Sequence, residues 1–188
     1  SEKPCRAAGT FTKNVVKAAP VKWDREIVEN GPFVQAVVVN AGIANACTGE
    51  EGMSYCKETA EKAGELLNIP DDSVLVASTG VIGMQLPMDK ISKGIEDMVP
   101  KLSHTRDAAH TASLAIMTTD THEKEVAAEF EVDGVTCTIG GMCKGSGMIH
   151  PDMCTMLSFL ATDAAISKEL LLEALKEDIV DTYNMISV

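Results

Sequence analysis

Aromatic side chains are scarce in this sequence. One Trp, two Tyr and four Phe make up only 4% of the chain, so a core has to be built from Val, Ile, Leu, Met and Ala. Long apolar runs are missing too, and none approaches the ~20 residues of a membrane-spanning helix. The opening SEKPCRAAG is polar and mixed, without the charged-then-apolar order of a secretory signal. There is no CxxC pair and no HxxxH, so no metal site is expected. Neither GxGxxG nor GxxxxGK[ST] occurs, which argues against the two common nucleotide-binding loops. Positive charge is in short supply: 16 Lys and Arg stand against 28 Asp and Glu, a formal net charge of −12. Nucleic acid and anionic membrane surfaces are therefore poor partners.

The 188 residues suffice for one sizeable domain or two small ones. With 45% hydrophobic and 23% charged residues, the composition is that of an ordinary globular protein. Six cysteines (Cys5, Cys47, Cys56, Cys137, Cys143, Cys154) show no framework spacing. In a chain this long and apolar, free thiols and a reducing cytoplasm are expected. The start falls straight into AAGTFTKN, and the end, DIVDTYNMISV, carries no helix stop. The chain is thus expected to be part of a longer polypeptide.

Strands and helices alternate. FVQAVVV (33–39) reads as a buried strand, followed by the small-residue loop NAGIANACTG. Thr48 stands three before Glu51, a capping box opening a helix whose face is Met53, Cys56, Ala60, Ala63 and Leu67. Pro70 and the Asp71–Asp72 pair end it. SVLVA (73–77) is a second strand, with STGVIG (78–83) as its loop. Helices are expected from about Met88 to Met98 and from about Thr105 to Met117. EKEVAAEFEVDGVTCTIGG reads as a hairpin turning at Asp133–Gly134. TMLSFLA, opening at Thr155, is a further buried strand. A last helix starts at the cap Ser167, with Leu171, Leu175, Ile179, Thr182 and Ile186 on one face. Both parallel and antiparallel pairing are implied, which points to a layered α/β sandwich with a mixed sheet.

Three Gly- and Thr-rich loops adjoin strands: NAGIANACTG, STGVIG and GGMCKGSGMIHPDMCT. A fourth stretch, MTTDTHEK, follows a helix. Loops on a rigid scaffold are where binding groups concentrate. In KGSGMIHPDMCTMLSF, a loop constrained by Gly145, Gly147 and Pro151 delivers the Thr155 hydroxyl to the start of a stiff element. A threonine hydroxyl is a weak nucleophile and needs a base. One solution is for the threonine to be an N-terminus, so that its own α-amine, with a pKa of roughly 7.7–8.0, accepts the proton. Thr155 lies inside the chain. Its amine is freed only if the hydroxyl attacks the Cys154 carbonyl and the resulting ester is hydrolysed. The residues alone leave three readings open. They are a self-processing acyltransferase, an N-terminal-threonine amidase or aminopeptidase passing the acyl group to water, and a non-catalytic binding domain in which Thr155 merely starts a strand. His150, five residues upstream, reads as a surface group, because the amine already fills the base's role.

KGSGMIHPDMCTMLSFLATDA closely resembles the self-cleavage segment of the ornithine acetyltransferase (glutamate N-acetyltransferase, ArgJ) family. AAGTFTKNVVKAAPVKWDRE, NAGIANACTGEEG, ASTGVIG and IMTTDT resemble further blocks of that family, in order. Asp152 stands where the family usually has Asn, Cys154 where it usually has Ala, and Ile43 where a small polar residue is usual. The resemblance implies an α-β-β-α sandwich, here incomplete. It also implies one partial domain over 1–188, cut at Cys154–Thr155 into an α-chain portion (1–154) and the start of a β-chain portion (155–188). Thr155 would carry an acetyl group from N-acetylornithine to glutamate, in arginine biosynthesis. Thr79 and Gly80 would form the oxyanion hole. Lys144 would bind the substrate α-carboxylate, with Thr118, in preference to Thr119, as a further contact. No cofactor is implied, acetyl-CoA entering only as a donor substrate of bifunctional members. The expected partner is the remaining β-chain portion of the same precursor, in an α/β hetero-oligomer.

Overall fold

In the computed structural model, residues 1–150, 152 and 155–188 are described. The chain divides into two compact units, Ser1–Ser103 and His104–Val188.

The first unit is built on a β-α-β crossover. Strand β1 (Ala36–Ile43) runs into helix α2 (Gly49–Leu67), which returns the chain to strand β2 (Val74–Val81). The strands pair in parallel from Ala36↔Val74 to Ile43↔Val81. A parallel pair needs a long connection, and the 19-residue α2 supplies it. The apolar face expected for α2 is the one buried. Cys56, Ala60 and Ala63 pack with Val74, Val76 and Ile95 of helix α3 (Met88–Met98) in the core. The capping box does not form. Thr48 is the N-cap, but its buried hydroxyl donates to Asn45 Oδ1 at 2.8 Å instead of receiving a helix amide.

Helix α1 (Ala19–Asn30) is not legible from the hydrophobic period. Its buried residues are only Ala19, Pro20, Ile27 and Val28, around the polar KWDRE. Tertiary contacts hold it. Trp23 Nε1 donates to the Val74 carbonyl at 3.0 Å, and Asp24 Oδ1 accepts from the Val76 amide at 2.8 Å. Two side chains of α1 thereby take up backbone groups of β2 that no strand pairs, closing an otherwise open edge.

The second unit holds helix α4 (Arg106–Ala115), strands β3 (Lys124–Val132), β4 (Val135–Lys144) and β5 (Leu157–Thr162), and helix α5 (Lys168–Asp181). The strands form an antiparallel sheet with β4 in the centre. The expected hairpin turn is present: Asp133 and Gly134 both take positive φ (51° and 77°), as a two-residue turn matching strand twist requires. Thr105 and Ser167 cap their helices, accepting from the amides of Ala108 and Leu170, each at 3.2 Å. Helix α5 stops at Asp181, where Thr182 leaves helical geometry (φ −125°, ψ −91°). The face through Leu171, Leu175 and Ile179 therefore does not reach Thr182 and Ile186. Parallel and antiparallel pairing are both present in a mixed α/β fold, carried by two separate sheets. Among the described residues, no helix is long and apolar enough to cross a membrane.

Candidate active site

Both strands of the first unit run further than the loops around them suggested. NAGI and STGV belong to β1 and β2, so Thr79 and Gly80 sit on a strand, paired with Ala41 and Gly42. Glycine and small residues suggested a loop, but ladder pairing continues wherever the partner backbone can come close. Gly80 takes φ +130°, and a Cβ there would collide with Gly42, whose Cα would lie 2.7 Å away. Thr79 is buried beside it. The turn after β1 is fixed by Asn45, which is fully buried at φ 47°. Its amide donates to the Gly52 carbonyl at 3.0 Å and to Cys56 Sγ at 3.4 Å. The Ala44 amide closes the end of the pair by donating to the Val81 carbonyl at 2.9 Å.

In the second unit, Lys144 ends β4 and is only 4% exposed. Burial pushes its ammonium below the ordinary lysine range; Asp120 opposes that shift and Lys124 adds to it. Asp120, whose side chain is 1% exposed, organises the surroundings. Its Oδ1 accepts from Lys124 Nζ at 2.6 Å and from the Gly145 amide at 2.8 Å, and its Oδ2 from the Thr118 amide at 3.3 Å. Burial alone would raise this carboxyl, but the hydrogen bonds from Lys124, Gly145 and Thr118 outweigh it and hold the pKa at about 2. Asp120 is therefore a fixed anion. Sequence reading passed over it because a lone acid among threonines in MTTDTHEK carries no spacing signal.

The threonines of that stretch separate. Thr119 Oγ1 shares a hydrogen bond with Ser146 Oγ at 2.8 Å. For Thr118 the contact made is through its amide, to Asp120 Oδ2. A cavity of about 360 Å³ is lined by Lys124, Lys144, Ser146, Met156 and Tyr183 among others, with Thr118, Asp120 and Thr155 outside its lining.

Thr155 does not open β5; it stands two residues ahead of it, in a bend. Its φ is +60°, a left-handed conformation that a β-branched residue adopts only under constraint. Among the described residues of 148–155, Met148 (φ 56°) and Asp152 (φ 70°) share that region. The Thr155 carbonyl lies against Gly145, where an added Cβ would sit 3.5 Å from it. Cys154, the other side of the expected cut, lies outside the described residues. His150 is exposed, with Nδ1 3.4 Å from Ser187 Oγ. Among the described residues, no three His, Cys, Asp or Glu side chains gather to hold a metal ion.

Within the second unit, the backbones of 118–120, 144–146 and 155 are thus brought together. Thr79 and Gly80 belong to the first unit.

The profile of the ArgJ family matches residues 1–188, and the chain belongs to that family. It is 54% identical over 189 residues to the arginine biosynthesis bifunctional protein ArgJ of Thermotoga neapolitana, covering 100% of this chain and 47% of that protein. It is 53% identical over 188 residues to ArgJ 1 of Clostridium acetobutylicum, covering 100% of this chain and 45% of that protein. The chain spans about half the length of the curated relatives it matches. Among solved structures, Bacillus halodurans ArgJ superposes with a TM-score of 0.74 at 43% identity, over 82% of this chain and 78% of that one. Mycobacterium tuberculosis ornithine acetyltransferase, solved with ornithine, superposes with a TM-score of 0.70 at 37% identity, over 84% and 78% of the two chains.

Proposed function

We propose that the full-length protein cuts itself between Cys154 and Thr155 and then transfers acetyl groups from N-acetylornithine to glutamate. The observation that carries this reading is the left-handed backbone of Thr155 at the foot of β5. Strain at that residue disfavours the intact peptide bond relative to its cleaved form. In the processing step, Thr155 Oγ1 attacks the Cys154 carbonyl carbon and the peptide nitrogen leaves, giving an ester. Water then hydrolyses the ester, leaving a Cys154 carboxylate and a free Thr155 amine. The products are a 1–154 portion and a portion beginning at Thr155, held together as an α/β hetero-oligomer.

The freed amine is the base for its own hydroxyl. Thr155 Oγ1 attacks the acetyl carbonyl of N-acetylornithine, and the amine takes the proton and passes it to the departing ornithine nitrogen. Glutamate enters, its α-amine attacks the acetyl ester, and N-acetylglutamate leaves. The oxyanion donors are assigned to Thr79 and Gly80 by their motif; one such donor is worth roughly 3–4 kcal/mol in comparable sites. Both substrates share an α-carboxylate, for which the buried Lys144 ammonium is the partner, with Thr118 as a further contact. The chemistry needs no cofactor, and acetyl-CoA enters only as an alternative acyl donor. Free thiols at Cys5, Cys47, Cys56, Cys137 and Cys143 support a reducing, cytoplasmic setting.

Two measurements test this. Mass spectrometry of the full-length protein is expected to find a fragment beginning at Thr155. Labelled N-acetylornithine is expected to pass its label to glutamate. Release of label only as acetate would turn the reading into a hydrolase, and an uncut chain would leave a binding domain.

A further inference from the structure

The ladder between β3 and β4 runs from Val132↔Val135 at the turn to Lys124↔Cys143 at the open end. Residues 118–123 and 145–147 lie beyond its last pair, where strand pairing no longer sets their separation. Both proposed contacts for the substrate carboxylate are at that end, Thr118 on one side and Lys144, the last residue of β4 and still paired with Leu157 of β5, on the other. Asp120 spans the gap, accepting from the Thr118 amide, the Gly145 amide and Lys124 Nζ.

We propose that Asp120 is a positioning residue of the substrate site, its buried carboxylate fixing the distance between Thr118 and Lys144. The role rests on the reading of Lys144 and Thr118 as substrate contacts. Lys124 and Lys144 both line the cavity, and Asp120 accepts from Lys124. Without Asp120, the repulsion between Lys124 and Lys144 would go uncompensated by this carboxylate, and the 118–120 and 144–146 segments would lose the bond to the Gly145 amide while keeping that between Thr119 and Ser146. The competing reading is a structural ion pair between Asp120 and Lys124 that steadies the fold and leaves catalysis untouched.

Steady-state kinetics of the full-length protein separate the two. Asp120→Asn keeps the shape and removes the charge. It is expected to raise KM for N-acetylornithine and for glutamate alike, by about tenfold, with kcat changed far less, because charge-assisted hydrogen bonds that orient a ground-state ligand are lost. The alkaline limb of 1/KM against pH is expected to move to lower pH. Asp120 and Lys124 are the charged groups acting on Lys144, and removing the anion makes its ammonium easier to deprotonate. Asp120→Glu keeps the charge and lengthens the side chain. It tests the geometry separately, and a similar rise in both KM values is expected. A folded Asn or Glu variant with a lower Tm but unchanged KM values would overturn the positioning role alone. A wild-type protein that moves no acetyl group would remove the functional reading and this role with it.

Discussion

Gly42 and Gly80 face each other across the parallel pair of β1 and β2, both at positive φ (127° and 130°). At Gly80 there is no room for a side chain, since an added Cβ would run into the Gly42 backbone. At Gly42 the space is open and only the dihedral is restrictive. The asymmetry gives a paired test. Gly80→Ala is expected to cost about 3 kcal/mol, from overpacking plus strain, and Gly42→Ala about 1 kcal/mol, from strain alone. Urea midpoints of the two variants check the order. If the Gly80 amide is an oxyanion donor, Gly80→Ala also lowers kcat, because the added Cβ forces the backbone that carries the N–H to shift. Equal midpoints would contradict the close approach.

Thr155 combines a nucleophilic hydroxyl with a strained backbone. Thr155→Ala is expected to stay uncut and inactive. Thr155→Gly is expected to stay uncut as well, and its precursor to be more stable than that of Thr155→Ala by about 1 kcal/mol, because glycine adopts φ +60° without penalty. Thermal unfolding of the two uncut precursors makes the comparison. Cleavage persisting in either variant removes Thr155 from the processing step.

Asp24 makes stability fall between acidic and neutral pH. Burial pushes its carboxyl up to about 7 from the ordinary 3.8, the Val76 amide opposing. Between those values the unfolded chain has released a proton that the folded chain keeps, so stability falls as pH rises from about 4 to about 7 and then levels off. Asp24→Asn retains an acceptor for the Val76 amide and does not titrate. It is expected to gain on wild type across that window, by on the order of 2–4 kcal/mol. Unfolding free energies of both proteins at pH 4 and pH 8 provide the check; a difference independent of pH would refute it.

Asp120 gives the opposite sign. Its carboxyl is held at about 2, below the ordinary 3.8, so the folded state stays ionised where the unfolded chain takes up a proton. Its contribution is complete above about pH 4 and is lost as pH falls toward about 2. The stability advantage of wild type over Asp120→Asn is expected to be on the order of 2 kcal/mol at pH 6 and to shrink steadily below pH 4. Melting curves from pH 3 to pH 6 follow it. An advantage that persists undiminished at pH 3 would show that the carboxylate is not held this way.

Local signals carried much of the architecture. The apolar period located α2, the cap Ser167 located α5, and the Asp133–Gly134 pair located the hairpin, because turns and caps are decided by residues a few positions apart. Helix α1 escaped, since what holds it is Trp23 and Asp24 bonding to β2 some fifty residues away. The ends of β1 and β2 were taken for loops, because glycine looks like a loop until a second glycine is found opposite it. Thr155, Lys144, Thr79 and Gly80 were picked out by motif, while Asp120 had no pattern to announce it.

Sequence alone determined most of the elements, the apolar face of α2, which family the motifs resemble and which hydroxyl is the candidate nucleophile. Those properties follow from neighbours along the chain and from residue chemistry. Tertiary structure decided that Thr155 is strained, that Lys144 is buried, and that the Asp120 carboxylate meets the Gly145 amide, 25 positions further along the chain. Each of these depends on which distant backbone comes within hydrogen-bonding reach and on how much water is excluded there, and no local window of residues specifies either.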